Sequence, residues 1–202
     1  MSDPQGSGQP TELRGLDWYG EDLGAVVHRD FTFTDVDLSE TITRGATFER
    51  CTFHNCRFNA STHVASAFVS CDFRRTSFFD AILDGCKLTG SEFSGCTLRP
   101  LAVRGGLWRG VGMRGANLSR LELDGLDLRD ADLSMADLSG TSLRGANLAG
   151  ATLRETNLAE ADLRGADLGG VDLTTARLRD TRLDLAGAVL LAELHGAVVD
   201  TT

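Results

Sequence analysis

Lysine is almost missing from this sequence: Lys87 is the one example, and every other cationic side chain is arginine. Also missing is any apolar run long enough to span a membrane. Met1–Pro10 is polar and lacks the apolar centre of a secretory signal, so a cytoplasmic setting is expected. There is no Gly-x-Ser-x-Gly elbow, no His-Glu-x-x-His pair and no P-loop. No catalytic residue, cofactor or metal is therefore assigned, and the expectation is a binding protein, not an enzyme. The net charge of −9 opposes direct nucleic-acid binding, which needs a dominant basic face.

What the chain does have is a repeat of five. Ala131-Asp132-Leu133-Ser134-Met135 is followed by Ala136-Asp137-Leu138-Ser139-Gly140, and close copies return at Ala146, Ala161 and Ala166. A large apolar residue falls at every fifth place, with a small residue two places before it. That spacing fits neither the 3.6-residue period of a helix nor the alternation of an ordinary strand. Traced backwards, the central place passes through Leu98, Phe93, Leu83, Phe73, Phe53, Phe33 and Leu23 to Trp18, with no insertion before Leu183.

This pattern resembles the pentapeptide-repeat family. The resemblance implies an all-β fold, a right-handed quadrilateral β-helix in which four units make one coil and stacked coils bury the core. Trp18 to Leu183 then makes roughly 8.5 coils, a rod of roughly 40 Å at the strand spacing of about 4.8 Å. Residues 1–12 are expected to be a disordered lead, 13–183 the β-helix, and 184–202 a terminal helix and tail.

Twenty-residue spacing stacks Phe33, Phe53, Phe73 and Phe93 in one column, Phe48 over Phe68, and Phe58 over Phe78. His63, in a column with Thr43, reads as a buried, hydrogen-bonded core residue. Arg99–Gly115 departs furthest from the motif. Pro100 cannot donate to a ladder, Leu101, Leu121 and Leu126 stand at small places, and Trp108 and Met113 replace Leu or Phe; a wider or bent coil is expected there. Gly110–Gly115 spells G-x-G-x-x-G but lacks the strand-to-helix setting of a dinucleotide site. Cys51, Cys56, Cys71, Cys86 and Cys96 all stand two before a central residue, so they should point inward as free thiols. His54 should point outward, away from Cys51 and Cys56, which disfavours a metal site.

After Leu183 the pattern becomes helical, with Asp184 as N-cap and Gly196 as the stop. Leu185, Val189 and Ala192 share one side; Leu190, Leu191 and Leu194 share the other. Two apolar stripes on a helix that needs one to plug the coil predict a homodimer, with Leu190, Leu191 and Leu194 at the interface.

Within the family the chain is similar to the branch of mycobacterial fluoroquinolone-resistance proteins and their plasmid-borne Qnr relatives. That resemblance rests on the unbroken frame, the Cys/Phe-rich first half with its Cys96–Leu101 interruption, the Leu-rich second half and the Leu194-His195-Gly196 ending. It implies a dimer that imitates DNA in size and charge, binds DNA gyrase and protects it from quinolone-type inhibitors. The projecting loops of the Qnr relatives have no counterpart here. Asp127, Asp132, Asp137, Glu155, Glu160, Asp162, Asp167 and Asp172 are the expected phosphate stand-ins, although a motif that places Asp or Asn before each Leu also explains them as turn residues. Charge runs in blocks: Met1–Arg50 has ten acids and four bases, Cys51–Ser119 four and eight, and Arg120–Asp184 thirteen and eight. Arg99, Arg104, Arg109 and Arg114 mark the positive middle. A scaffold protein with an unrelated partner is the alternative reading.

Overall fold

The computed structural model describes residues 11–200, and their backbone winds into a parallel β-solenoid closed by one short helix. Each coil takes twenty residues, because the pairings join residue i to residue i+20, with one register shift where Gly24 pairs with Thr43. Three stacks of short strands form the first half. One is Thr11–Arg14, Phe31–Thr34, Thr52–His54, Asp72–Arg74 and Glu92–Ser94; the next is Asp22–Gly24, Ile42–Arg44, Thr62–Val64, Ala81–Asp84 and Leu101–Arg104; the third is Val27–Arg29, Thr47–Glu49 and Ala67–Val69. The remaining side is a row of single bridges, Asp17 to Asp37 to Arg57 to Ser77 to Thr97. Residues 1–10 of the expected lead lie outside the described residues. Thr11 and Glu12 already pair with Phe31 and Thr32, so the regular structure begins before Leu13.

Beyond Arg104 the faces shorten to single bridges and tight turns carry the corners. The amide of Ala131 donates to the carbonyl of Leu128 (3.1 Å), and Ala136 to Leu133 (3.0 Å). The third residue of these turns has positive φ, as at Asp130 (58°), Gly140 (64°) and Gly150 (72°), with Thr175 the exception. A type II turn requires that geometry, which is why Gly, Asp and Glu recur at this place. Each coil also hydrogen-bonds the next: the amide of Leu118 donates to Asp137 (2.8 Å), and that of Asp137 donates to Ala116 (2.9 Å).

The core is one continuous column of side chains from the two inward places. Phe33, Phe53, Phe73 and Phe93 stack with centroids 4.7–4.8 Å apart, Phe48 lies 4.9 Å from Phe68, and Phe58 lies 4.8 Å from Phe78. In the irregular segment the register holds, through the bridges Glu92–Gly112–Asp132 and Lys87–Leu107–Asp127. Trp108 and Met113 are fully buried, as are Leu121 and Leu126. Volume is exchanged locally: Gly106 stands at the small place before Trp108, and a Cβ there would lie 3.2 Å from the indole nitrogen.

The inward small place carries a second duty. Thr76, Ser91, Thr141 and Thr156 each donate a side-chain hydroxyl to the carbonyl 23 residues earlier, at 2.8–3.0 Å. The thiols occupy the same geometry with longer bonds, donating to the carbonyls of Phe33 (Cys56, 3.4 Å), Phe48 (Cys71, 3.3 Å) and His63 (Cys86, 3.2 Å). All five cysteines are free. Burial pushes the thiols of Cys56, Cys86 and Cys96 up to about 11. His54 instead accepts a hydrogen bond from Arg75 on the outer surface.

Asp184 caps the helix Leu185–Leu194, accepting from the Gly187 amide (3.0 Å) and, across the coil end, from the Gly165 amide (2.8 Å). Leu190, Leu191 and Leu194, expected at a dimer interface, instead pack against the end of the coil core, where the last coil leaves apolar side chains for the helix to cover. Leu185 is 81% exposed, and with Ala186, Val189 and Val199 it lines an open apolar groove on the other side of the helix.

Candidate interaction surface

Because consecutive coils stack, position in the sequence is position along the rod. The three charge blocks therefore become bands: acidic first coils, a basic waist and acidic last coils. Around the rod, between residues 11 and 185, three faces carry seven acids and five arginines each, and the face containing Asp127 carries five acids and five bases. Negative charge thus encircles the ends; it is not gathered into one lengthwise stripe.

The eight expected phosphate stand-ins follow this distribution. Asp132, Glu155 and Asp172 share one face, Asp137 and Glu160 the next, Asp162 the third, and Asp127 and Asp167 the fourth. Most are tied down locally. The carboxylates of Asp132, Asp137, Asp162, Asp167 and Asp172 accept the amide two residues on, at 2.8–3.2 Å. Asn147 and Asn157 make the same turn bond, so the place wants a side-chain carbonyl oxygen and is indifferent to charge.

Arginines modify this pattern. Arg129 grips Asp127 (2.7 Å) and Arg164 grips Asp162 (2.6 Å), and these hydrogen bonds hold both carboxyls below the usual range. Burial works against ionisation of Asp132 and Asp137, but bonds from Ser134 and Ser139 and nearby arginines outweigh it, so both are lowered. The Thr174 hydroxyl and amide lower Asp172. Glu155 and Glu160 are exposed, and Glu160 faces Arg179 at 3.8 Å. The lowered groups are anionic at neutral pH, and exposed ion pairs of this kind add little stability.

At the basic waist the arginines point outward on all four faces. Arg104 meets Asp84 (3.7 Å), Arg109 meets Asp130 (2.9 Å), Arg99 donates to Ser119 (2.7 Å) and Arg114 to the Met135 sulfur. Glu92 is a further feature, with no signal in the motif. Its carboxylate folds over Gly112, whose missing side chain leaves the room, and burial together with Asp132 and Asp72 raises its pKa.

The polar group with most resemblance to a nucleophile–base pair is internal. Ser61 Oγ lies 2.9 Å from His63 Nε2, but both residues are wholly buried and the Ser61 hydroxyl donates to the Phe58 carbonyl (2.7 Å). It is core structure. Among the described residues no cluster of His, Cys, Asp and Glu is arranged to hold a metal. No described helix is long and apolar enough to cross a membrane.

Residues 109–145 and 141–180 match the family model described as pentapeptide repeats, in eight copies. The coil those copies build continues in register back to Thr11. Residues 109–180 are pentapeptide repeats. Residues 21–98, the strand-rich coils, also match the model of the SV2A/B/C luminal domain. No curated protein matches the chain. Among solved structures the chain is similar to full-length QnrB1, a plasmid-mediated fluoroquinolone resistance protein, with TM-score 0.54 and 22% identity over 92% of this chain and 100% of that one. A trypsin-treated variant of QnrB1 gives TM-score 0.53 at 22% identity, over 95% and 100% of the two chains. That likeness is one of fold.

Proposed function

We propose that this protein binds DNA gyrase as a non-catalytic, DNA-mimicking rod and protects it from quinolone-type inhibitors. The single observation that carries the reading is an uninterrupted, loop-free coil, in a chain of net charge −9, whose acidic bands lie at its two ends. A groove built for duplex DNA is lined with cations and responds to charge and shape, so an anionic rod competes for it. A fold shared with a fluoroquinolone resistance protein supports this reading. A twofold partner on the helix brings two acidic last-coil bands together and lengthens the mimic. In that assembly Leu190 and its neighbours Leu191 and Leu194 brace the helix on its own coil, while Leu185, Ala186 and Val189 present the free apolar side.

The test is a supercoiling assay with purified gyrase, with and without a quinolone, together with capture of gyrase subunits at low salt. Asn occupies the turn place in other coils with the same bonds. Changing Asp132, Asp137, Asp162, Asp167 and Asp172 to Asn therefore removes five charges without breaking a turn. Weaker gyrase binding and a shallower salt dependence are expected. Absence of gyrase binding at low salt refutes the proposal. Unaltered binding by the five-Asn variant favours the second reading, a scaffold whose acidity serves solubility. The even spread of acids around the faces supports that alternative.

A further inference from the structure

One face of the last coils carries a hollow of about 450 Å³, lined among others by Arg120, Ser139, Asn157, Glu160, Arg177 and Arg179. These residues are up to 59 positions apart in sequence, and the twenty-residue coil brings them onto one side. Gly140 sits one coil beyond Arg120, and a Cβ there would lie 3.3 Å from the Arg120 Cγ. The bare glycine lets the arginine stem lie along the corner, into the hollow.

In the first coils arginines face carboxylates one coil away: Arg50 meets Asp30 (2.7 Å), Arg57 meets Asp37 (2.6 Å), Arg29 meets Glu49 (3.0 Å) and Arg44 meets Asp22 (2.7 Å). Around the hollow two arginines lack such a partner. Arg120 is flanked along its column by Pro100 and Gly140, and Arg177 by Asn157. Among the described residues neither Arg120 nor Arg177 makes an ion pair or a side-chain hydrogen bond. Arg179 alone is engaged, loosely, with Glu160 (3.8 Å) and Asp180 (4.0 Å). The Asn157 amide donates to Asp137 (3.0 Å) and the Ser139 hydroxyl bonds the same carboxylate, so the donors left to the hollow are the arginines.

We infer that this hollow binds the di- or triphosphate group of a small ligand. Glu160 and Asp180 hold Arg179, which leaves the Arg120 and Arg177 forks to meet an anion, and planar forks match phosphoryl oxygens in bidentate geometry. The volume is at the scale of small-ligand sites and exceeds what one phosphate fills. The site lies within an acidic band, so a diffuse anion atmosphere does not explain it. It is independent of the gyrase reading, since binding is measured on this protein alone.

The test is calorimetric titration with inorganic pyrophosphate at low, fixed ionic strength, with sulfate and citrate as anions of other geometry. Pyrophosphate is expected to bind at least tenfold more tightly than either. The double variant Arg120→Gln/Arg177→Gln is expected to lose at least tenfold in affinity, Arg144→Gln on a neighbouring face to change nothing, and Glu160→Gln to tighten binding several-fold. Unchanged melting curves show that each variant is folded. Equal affinity for pyrophosphate, sulfate and citrate overturns the inference, as does an Arg144→Gln loss equal to that of the double variant.

Discussion

Acid should weaken this protein through one side chain, His63. Its ring is wholly buried between Thr43 and Leu83 of the adjoining coils. The hydrogen bonds around it admit one proton arrangement. Ser61 donates to the Phe58 carbonyl and so must accept from His63 Nε2–H (2.9 Å). Nδ1 is then bare and accepts from the Thr43 hydroxyl (2.7 Å), whose oxygen faces Ser66 (2.9 Å), which in turn accepts from the Ala46 amide (3.2 Å). A second proton on Nδ1 would displace the Thr43 donor and place a charge in an apolar core. Burial accordingly pushes the pKa down to about 3 from the ordinary 6.5.

The sign follows from proton counting. Between those two values the unfolded chain binds a proton that the folded chain refuses, so folding loses stability as pH falls below 6.5 and the loss ends near pH 3. The full shift corresponds to about 5 kcal/mol, of which about 2 kcal/mol is lost between pH 6.5 and pH 4.5. The perturbation is His63→Leu, since leucine fills this column at Leu83 and Leu123. In the variant Ser61 keeps its carbonyl, Thr43 can donate to Ser66, and Ser66 can donate to the Val64 carbonyl (3.1 Å). Urea unfolding of both proteins across this range cancels every carboxylate they share. The stability of wild type relative to variant should fall by about 2 kcal/mol from pH 6.5 to pH 4.5. A difference that stays constant with pH refutes the reasoning.

Two glycines give a matched pair. Gly106→Ala sets a Cβ 2.3 Å from the Cys86 carbonyl oxygen at a φ of +122°, and it should cost roughly 3 kcal/mol in thermal unfolding. Gly112→Ala places its Cβ even closer, 1.6 Å, to Glu92 Oε2, but that is the end of a flexible chain that can swing into water. A change within about 1 kcal/mol is expected, with the raised Glu92 pKa relaxing downward in an NMR titration. Cys56 and Cys86 should resist alkylation at pH 8 until the coil is unfolded, as read by mass spectrometry; rapid native labelling contradicts their raised pKa. Asp184→Ala removes acceptors for both Gly187 and Gly165 and should loosen the helix, seen as faster amide exchange over Leu185–Leu194 with the coil unchanged.

The fold was legible because one inward residue in five, repeated without a gap, leaves a chain few ways to bury its apolar places. The Phe columns follow from arithmetic alone, since i and i+20 must stack. His63 was legible as core for the same reason, although its partners Ser61 and Ser66 required coordinates. The volume exchange between Gly106 and Trp108 was not legible, because the motif marks both positions as faults and cannot show that they compensate. Even there the fit is incomplete: the indole nitrogen of Trp108 is the one buried side-chain polar atom without a partner among the described residues.

Surface function was harder to read, for a physical reason. A repeat fixes which residues face water, but the chemistry of a face depends on neighbours twenty, forty and sixty positions away. The acids before each Leu look alike in sequence, yet Arg129 and Arg164 neutralise Asp127 and Asp162 while Asp167 and Asp172 keep an unshared charge beside the turn amide. Gyrase binding, if it follows the net acidic bands, should therefore respond more to Asp167→Asn and Asp172→Asn than to Asp127→Asn and Asp162→Asn. Supercoiling protection measured on the two double variants separates these cases. Equal losses from both pairs would show that the partner reads summed charge along the rod and not the free carboxylates near its end.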